Sequence, residues 1–122
     1  MACILVVDDD EDTREALRDV LLNEGFDVRV SARAEEAIVE VSRPDAPSLI
    51  LLDSRMRDMS GNEFLDWISG HKDLDRIPVV LVTGDSSLPR HERAAALLRK
   101  PYELDELLEV AYEFCAPERK RG

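Results

Sequence analysis

Residues 49–61 read LILLDSRMRDMSG. Four apolar residues at positions 49–52 run without interruption into the acid Asp53. A half-exposed strand alternates apolar and polar residues, whereas a strand covered on both faces does not need to. The run therefore predicts an interior strand of a parallel sheet with a carboxylate at its carboxyl end.

The rest of the chain alternates between similar apolar runs and helical patterns. The predicted strands cover residues 3–7, 26–30, 49–52, 79–82 and, more weakly, 97–98. The predicted helices cover residues 10–23, 34–41 with Ser31 as the N-cap, 61–70 and 104–115. This alternation predicts an α/β fold, a flavodoxin-like doubly wound five-stranded parallel sheet of order 2-1-3-4-5 with helices on both faces.

Composition limits the class of protein. The chain has 122 residues, 44% of them hydrophobic, which suits one domain over residues 1–116 and a short basic C-terminal tail at 117–122. Its net charge is −11, from 27 acidic and 16 basic residues. Because nucleic-acid binding needs clustered lysines and arginines, no nucleic-acid partner is expected.

The apolar segments are too short for a membrane span of roughly 20 residues, and no signal peptide is evident. We therefore expect a soluble cytoplasmic protein that does not contact a membrane. The two cysteines, Cys3 and Cys115, adjoin apolar runs and are predicted to be free core residues rather than a disulfide.

Chemically reactive side chains follow four of the predicted strands. They are Asp8, Asp9 and Asp10 after the first strand, Asp53 after the third, Thr83 after the fourth and Lys100 after the fifth. The carboxyl ends of parallel strands meet at one edge of the sheet, where ligands bind. Crowded carboxylates repel each other and favour a bound cation. Because the ligands are all oxygens at an open edge, Mg²⁺ is the predicted cation.

A metal ion, an ammonium group and a hydroxyl around one carboxylate are what phosphoryl transfer requires. The carboxylate itself can act as the nucleophile and form an aspartyl phosphate. Each motif alone has a simpler interpretation, since acids after a strand commonly begin a helix and a threonine there commonly serves a turn. Four such positions on four strand ends of one sheet favour a shared site.

Four segments together resemble the receiver domain of two-component response regulators. They are ILVVDDDED (4–12), LILLDSRMRDMSG (49–61), VVLVTG (79–84) and RKPYELDELLE (99–109). Each segment is weak evidence alone, but the combination is specific and covers essentially the whole chain.

The resemblance implies an acceptor and a set of metal ligands. Asp53 would take a phosphoryl group from a histidine of a partner kinase and also ligate Mg²⁺. Asp9 would bind Mg²⁺ directly, Asp8 would assist through water, and the backbone carbonyl of Arg55 would complete the protein ligands.

The resemblance also assigns the residues around the phosphoryl group. Thr83 would donate a hydrogen bond to it, and Lys100 would pair with another of its oxygens. The family often has a cis bond before the proline that follows this lysine, so Lys100-Pro101 is an expected cis site. Gly61 fits the tight start of the helix that follows the acceptor loop, which is residues 54–60 after Asp53.

The acceptor loop departs from the family pattern at two arginines. Arg57 replaces the usual proline, a loss that removes a fixed φ and is expected to loosen the loop without removing its chemistry. Arg55 places a cation two residues after Asp53. Two roles are open to it: attracting phosphate, or slowing the attack of water on an aspartyl phosphate.

The segment before the fifth strand departs further. Only 17 positions separate Thr83 from Lys100, fewer than is usual, and Pro89 interrupts them. The fourth helix of the family is therefore expected to be short, displaced or partly unwound. The usual Gly-Ala before the fifth strand is missing, and Leu97 replaces the family's switch aromatic. This leaves the acceptor chemistry in place but brings the usual signalling surface into question.

The favoured function is a phospho-acceptor receiver rather than an enzyme, with at most self-catalysed phosphorylation and dephosphorylation. Its partners would be a sensor histidine kinase or histidine phosphotransfer protein and an unnamed downstream protein, and it would be a monomer or a weak dimer. Two alternatives stay open. One is a pseudo-receiver, an interaction module that is never phosphorylated. The other is a haloacid-dehalogenase-like phosphohydrolase, whose D-x-D-x-T/V pattern is only partly matched because Asp12 stands at its last position.

Overall fold

Alternating strands and helices make up the computed structural model, which describes residues 3–71, 73–74, 76–84 and 91–115. Within these residues the strands are β1 (Cys3–Val7), β2 (Asp27–Ser31), β3 (Leu49–Asp53), β4 (Val79–Thr83) and β5 (Ala96–Arg99). The helices are α1 (Glu11–Asn23), α2 (Ala34–Val41), α3 (Gly61–Ser69) and α4 (Leu104–Phe114). The predicted tail at 117–122 lies outside the described residues.

The five strands form one parallel sheet of order β2-β1-β3-β4-β5. The predicted fold class and strand order are therefore confirmed. All five residues of β3 and of β4 are buried, as are four of the five in β1, whereas the edge strand β2 is mostly exposed or half-buried. The continuous apolar runs thus mark the interior of the sheet, as their pattern predicted.

A hydrophobic core lies on each face of the sheet. On one face, α2 and α3 contribute buried residues to the first cluster; on the other, α1 and α4 contribute to the second. Alternate residues of each interior strand supply the two clusters, so Leu5 and Val7 point to the first and Ile4 and Val6 to the second. The helices thus cover the two faces of the sheet. The side formed by the carboxyl ends of its strands, called the open edge, is left uncovered by them.

Two helices begin as their local sequence dictates, and one does not. Asp10 caps α1 by accepting the backbone N–H of Thr13 at 3.2 Å, and Ser60 begins α3 with a capping box. The prediction that Ser31 caps α2 is wrong. Ser31 is the last residue of β2, where it pairs with Val7, and the N-cap position of α2 is held by Arg33 without a side-chain hydrogen bond.

The family's fourth helix would lie in the connection from β4 to β5. The described residues of this connection form no helix. Gly84 and residues 91–95 are not helical, and residues 85–90, which include Pro89, lie outside the described part. His91 Nε2 lies 2.7 Å from Asp66 Oδ1, and Arg93 donates to the carbonyl of Ile77 at 2.9 Å. These contacts attach the end of the connection to α3 and to the loop that follows it.

Three smaller expectations can be compared with the structure. Cys3 and Cys115 are free, as predicted, but only Cys115 is buried in the core, whereas Cys3 at the start of β1 is half-buried. The Lys100-Pro101 bond is cis, also as predicted. None of the helices in the described residues has the length and apolarity that crossing a bilayer requires.

Candidate functional site

Three carboxylates meet at the open edge of the sheet. Asp8 and Asp9 directly follow β1, and Asp53 is the last residue of its neighbour β3. One carboxylate oxygen from each lies within 4.8 Å of the other two. Asp8 and Asp53 are only 4% and 9% exposed, so two of the three acids are largely removed from water. The fold thus brings together three acids that are separated by up to 45 positions in sequence.

Crowding and burial disturb the ionisation of these acids. Burial raises the pKa of Asp53 from its ordinary value of 3.8 to about 6, and the charge of Asp8 adds to the rise. Lys100 and the backbone N–H of Arg55 act in the opposite direction. Burial also raises the pKa of Asp8, against a hydrogen bond from the N–H of Asp10 and the charge of Lys100. The site therefore holds more negative charge than its own cations balance.

Lys100 and Thr83 border the acids from the other side. The Nζ atom of Lys100 lies 3.7 Å from Oδ1 of Asp53. Thr83, the last residue of β4, is fully buried, and its carbonyl accepts the backbone N–H of Lys100 at 2.7 Å. An ammonium group and a residue bearing a hydroxyl therefore lie at the same edge of the sheet as the carboxylates.

The acceptor loop leaves Asp53 and returns to the start of α3. The N–H of Ser54 donates to the carbonyl of Val82 at 2.8 Å, and the N–H of Gly61 donates to the carbonyl of Ser54 at 2.9 Å. A Cβ atom on Gly61 would approach Leu81 Cδ1 to 2.6 Å. The tight start of α3 thus depends on the missing side chain of Gly61 rather than on an unusual φ.

The two arginines of the loop are placed differently. Arg55 is exposed, and its backbone N–H favours the ionised form of Asp53 and so opposes the rise in the Asp53 pKa. The Nε atom of Arg57 lies 3.8 Å from Oδ2 of Asp9, and the Arg57 side chain is 91% exposed. The residue that replaces the family's proline is therefore an ion-pair partner of a candidate metal ligand.

Sequence reasoning missed Asp58, which ties the acceptor loop to α2. Its two carboxylate oxygens accept the N–H groups of Ala34 and Glu35, each at 3.1 Å. These are first-turn N–H groups, which have no partner within a helix, and the N-cap residue Arg33 does not satisfy them. Slight burial raises the pKa of Asp58, but the two hydrogen bonds outweigh it and lower this pKa below its ordinary value.

We expect Asp58→Ala to lower the free energy of unfolding by about 1 kcal/mol, the usual loss when a helix cap is removed. Because the pKa of Asp58 is lowered in the folded protein, the contribution is present above the ordinary aspartate pKa and is lost as the pH falls through the lowered value. Urea unfolding at several pH values measures this. Asp58→Asn keeps one acceptor oxygen and serves as the control, with an intermediate loss. An equal loss of unfolding free energy in Asp58→Ala at pH 7 and at pH 2 would contradict the role of the Asp58 carboxylate as a cap of α2.

Two further residues near the site take roles that the sequence did not indicate. Asp10 also follows β1, but its carboxylate caps α1 and is absent from the cluster of three. Tyr102 is half-buried two residues after Lys100, and burial together with the charge of Asp8 raises the pKa of its phenol. The position of Tyr102 directly after Pro101 is the only signal that could have suggested this proximity.

The donor set fits a small divalent cation. Its groups are carboxylate oxygens, the kind of ligand that Mg²⁺ prefers, and their mutual repulsion would be relieved by a positive charge. The ligand roles of Asp8, Asp9, Asp53 and the Arg55 carbonyl stay predictions.

Three of the known proteins that are similar to this chain match it over most of its length. An uncharacterized 14.6 kDa protein of Leptolyngbya boryana is 34% identical over 119 residues, 92% of this chain and 88% of that protein. The polar-differentiation response regulator DivK of Brucella ovis is 27% identical over 112 residues, 88% of this chain and 90% of DivK. The structure of the response regulator TrrA of Thermotoga maritima in complex with Mg(2+)-BeF is similar with a TM-score of 0.83 and 30% identity, covering 93% of this chain and 99% of that one.

The family model for the response regulator receiver domain matches residues 4–112, which include every element from β1 to most of α4. The order of the strands and the acids at their carboxyl ends agree with that match. The chain therefore belongs to the response regulator receiver domain family.

Proposed function

We propose that Asp53 accepts a phosphoryl group from a phosphohistidine of a sensor histidine kinase or a histidine phosphotransfer protein, with Mg²⁺ bound at the adjacent acids. Contact with a downstream protein would then pass on the signal. Receiver domains are signalling modules that interact with histidine kinases and effectors, so the family supports this proposal. The observation that carries it is the meeting of Asp8, Asp9 and Asp53 within 4.8 Å, with Lys100 3.7 Å from Asp53.

The transfer would be a direct displacement at phosphorus. An oxygen of the Asp53 carboxylate attacks, the new P–O bond forms, and the P–N bond to the histidine breaks. The imidazole leaves with the electron pair of that bond and takes up a proton. In the metal-free site the pKa of Asp53 is raised to about 6, so its carboxylate is mostly ionised at neutral pH, and a bound cation would favour the ionised, nucleophilic form further.

The surrounding residues supply charge and orientation. Lys100 is near enough to Asp53 to pair with an oxygen of the phosphoryl group, and the hydroxyl of Thr83 would donate a hydrogen bond to another. Mg²⁺, when bound, neutralises negative charge on the phosphoryl oxygens. The similar structure of TrrA is a complex with Mg(2+)-BeF, which supports a magnesium site of the same kind here.

Incubation with acetyl phosphate and Mg²⁺, followed by intact-mass measurement, tests the proposal. We expect the wild-type protein to gain the mass of one phosphoryl group and Asp53→Asn to gain none. Asp19→Asn, at an exposed position on α1, is the matched control and should gain the same mass as the wild type.

An adduct that persists in Asp53→Asn would contradict the assignment of the acceptor. No adduct in the wild type, together with no Mg²⁺ binding, would favour the pseudo-receiver, an interaction module that is not phosphorylated. Rapid multiple turnover of a phosphate ester would instead support a hydrolase.

A further inference from the structure

Arg57 belongs to a loop whose neighbouring residues are anchored. Met56 is buried in the core on the α2 and α3 side of the sheet, and Asp58 is bonded to the first turn of α2. The backbone of Arg57 is therefore held between two fixed points, although its side chain is 91% exposed. From this position the guanidinium reaches Oδ2 of Asp9 at 3.8 Å.

The contact crosses a hollow between the acceptor loop and the β2–α2 connection. The hollow is lined by Asp9, Ala32, Arg33, Arg57 and Asp58. Two arginines border it, but only Arg57 is paired with Asp9 among the described residues, because Arg33 pairs with Glu35 Oε1 at 3.7 Å. Arg33 and Arg57 thus both place a positive charge beside this hollow, but they pair with different acids.

We propose that Arg57 is a built-in counter-ion of Asp9 that a divalent cation must displace, so that Arg57 lowers the affinity of the site for Mg²⁺. This inference rests on the proposed function, in which Asp9 is a metal ligand. A Mg²⁺ ion contacts its ligands at about 2.1 Å, and a second cation held on the same carboxylate opposes its approach. Since the guanidinium is almost fully exposed, it can move into solvent when the ion binds.

The size of the effect follows from the exposure of the pair. Exposed ion pairs are weak, and their usual strength corresponds to about a two- to fivefold change in an equilibrium constant. We therefore expect Arg57→Gln to bind Mg²⁺ about two- to fivefold more tightly than the wild type. Arg57→Lys keeps the charge and should stay near the wild-type affinity.

Isothermal titration of the full chain with MgCl₂ at neutral pH and low ionic strength tests this without a phosphodonor. Arg33→Gln removes the same charge from the same hollow and is the matched control, for which we expect little change. The gain from Arg57→Gln should vanish in the Asp9→Asn background, because a double-variant cycle isolates the pairwise interaction. It should also shrink at physiological ionic strength.

The outcomes separate the inference from the proposed function. Equal affinities of the wild type and Arg57→Gln, with weaker binding by Asp9→Asn, would overturn the role of Arg57 and leave the metal site intact. Equal gains from Arg57→Gln and Arg33→Gln would also overturn it, since the cause would then be net charge. If no variant binds Mg²⁺, or if Asp9→Asn binds as the wild type does, both the inference and the proposed metal site are wrong.

Discussion

Asp53→Asn is expected to raise the free energy of unfolding of the metal-free protein by about 2–3 kcal/mol at neutral pH. The cause is the rise of the Asp53 pKa from 3.8 to about 6, which reflects the burial of a charge beside Asp8. A pKa rise of this size means that the folded protein disfavours the ionised form of Asp53 by about 3 kcal/mol. Asparagine has nearly the same shape but no charge, so this unfavourable contribution disappears in the variant. The rise to about 6 already includes the opposing effect of Lys100.

The pH dependence of the wild type fixes the sign of this effect. Because the folded-state pKa of Asp53 lies above its unfolded value, the native state holds more protons than the unfolded state between about pH 4 and pH 6. Stability contributed by this group is therefore present below about pH 4 and is lost as the pH rises toward 6. Asp53→Asn should lack this decline, so the two proteins should differ little at pH 4 and most above pH 6.

Urea unfolding in EDTA at pH 4, 5, 6 and 7 measures the difference. Asp19→Asn is again the control, because an exposed carboxylate should leave the pH profile close to that of the wild type. Added Mg²⁺ should stabilise the wild type more than Asp53→Asn, since a ligand stabilises the state that binds it. If Asp53→Asn is less stable than the wild type at pH 7, the folded protein does not disfavour the ionised form of Asp53.

Gly61→Ala is expected to lower the free energy of unfolding by about 2 kcal/mol, within the usual range for overpacking. The added Cβ would lie 2.6 Å from Leu81 Cδ1, 3.0 Å from the Cα of Ser54 and 3.2 Å from the carbonyl oxygen of Asp53. Leu81 is fully buried in β4, so its side chain has little room to move. The strain would therefore also shift the backbone at Asp53.

Gly70→Ala is the matched control for this prediction. Gly70 ends α3 at φ −82°, and the nearest atom to an added Cβ is the Trp67 carbonyl oxygen at 3.5 Å, an ordinary contact. We expect its stability to stay within about 0.5 kcal/mol of the wild type. Urea unfolding compares the two variants, and equal stability of Gly61→Ala and Gly70→Ala would contradict the predicted clash.

A double variant separates the side-chain clash from the backbone clash. Leu81→Val removes the atom that lies closest to the new Cβ, so the loss in Gly61→Ala plus Leu81→Val should be smaller than the sum of the single losses. The rescue should be partial, since the contacts with Ser54 and Asp53 remain. In the acetyl phosphate assay, Gly61→Ala should also gain its adduct more slowly than Gly70→Ala.

The fold could be predicted because its signals are local and periodic. Uninterrupted apolar runs such as residues 49–52 mark strands covered on both faces, and helical patterns between them impose parallel pairing. The location of the candidate site followed from the same reasoning, since acids that end neighbouring parallel strands must lie at one edge. The cap of α2 was predicted wrongly because Ser31 has the right residue type but is held in β2 by its pairing with Val7.

The sheet, its strand order and the edge where Asp8, Asp9, Asp53 and Lys100 meet could thus be predicted from residue types and their order along the chain. The contacts that hold this edge together and set its charge depend on the tertiary structure. Asp58 caps a helix that begins 24 residues earlier, Arg57 pairs with an acid on another strand, and Gly61 leaves room for Leu81. The raised pKa of Asp53 likewise depends on burial and on the distance to Asp8. These features arise from distances between residues far apart in the chain, and no local pattern of residue types records such distances.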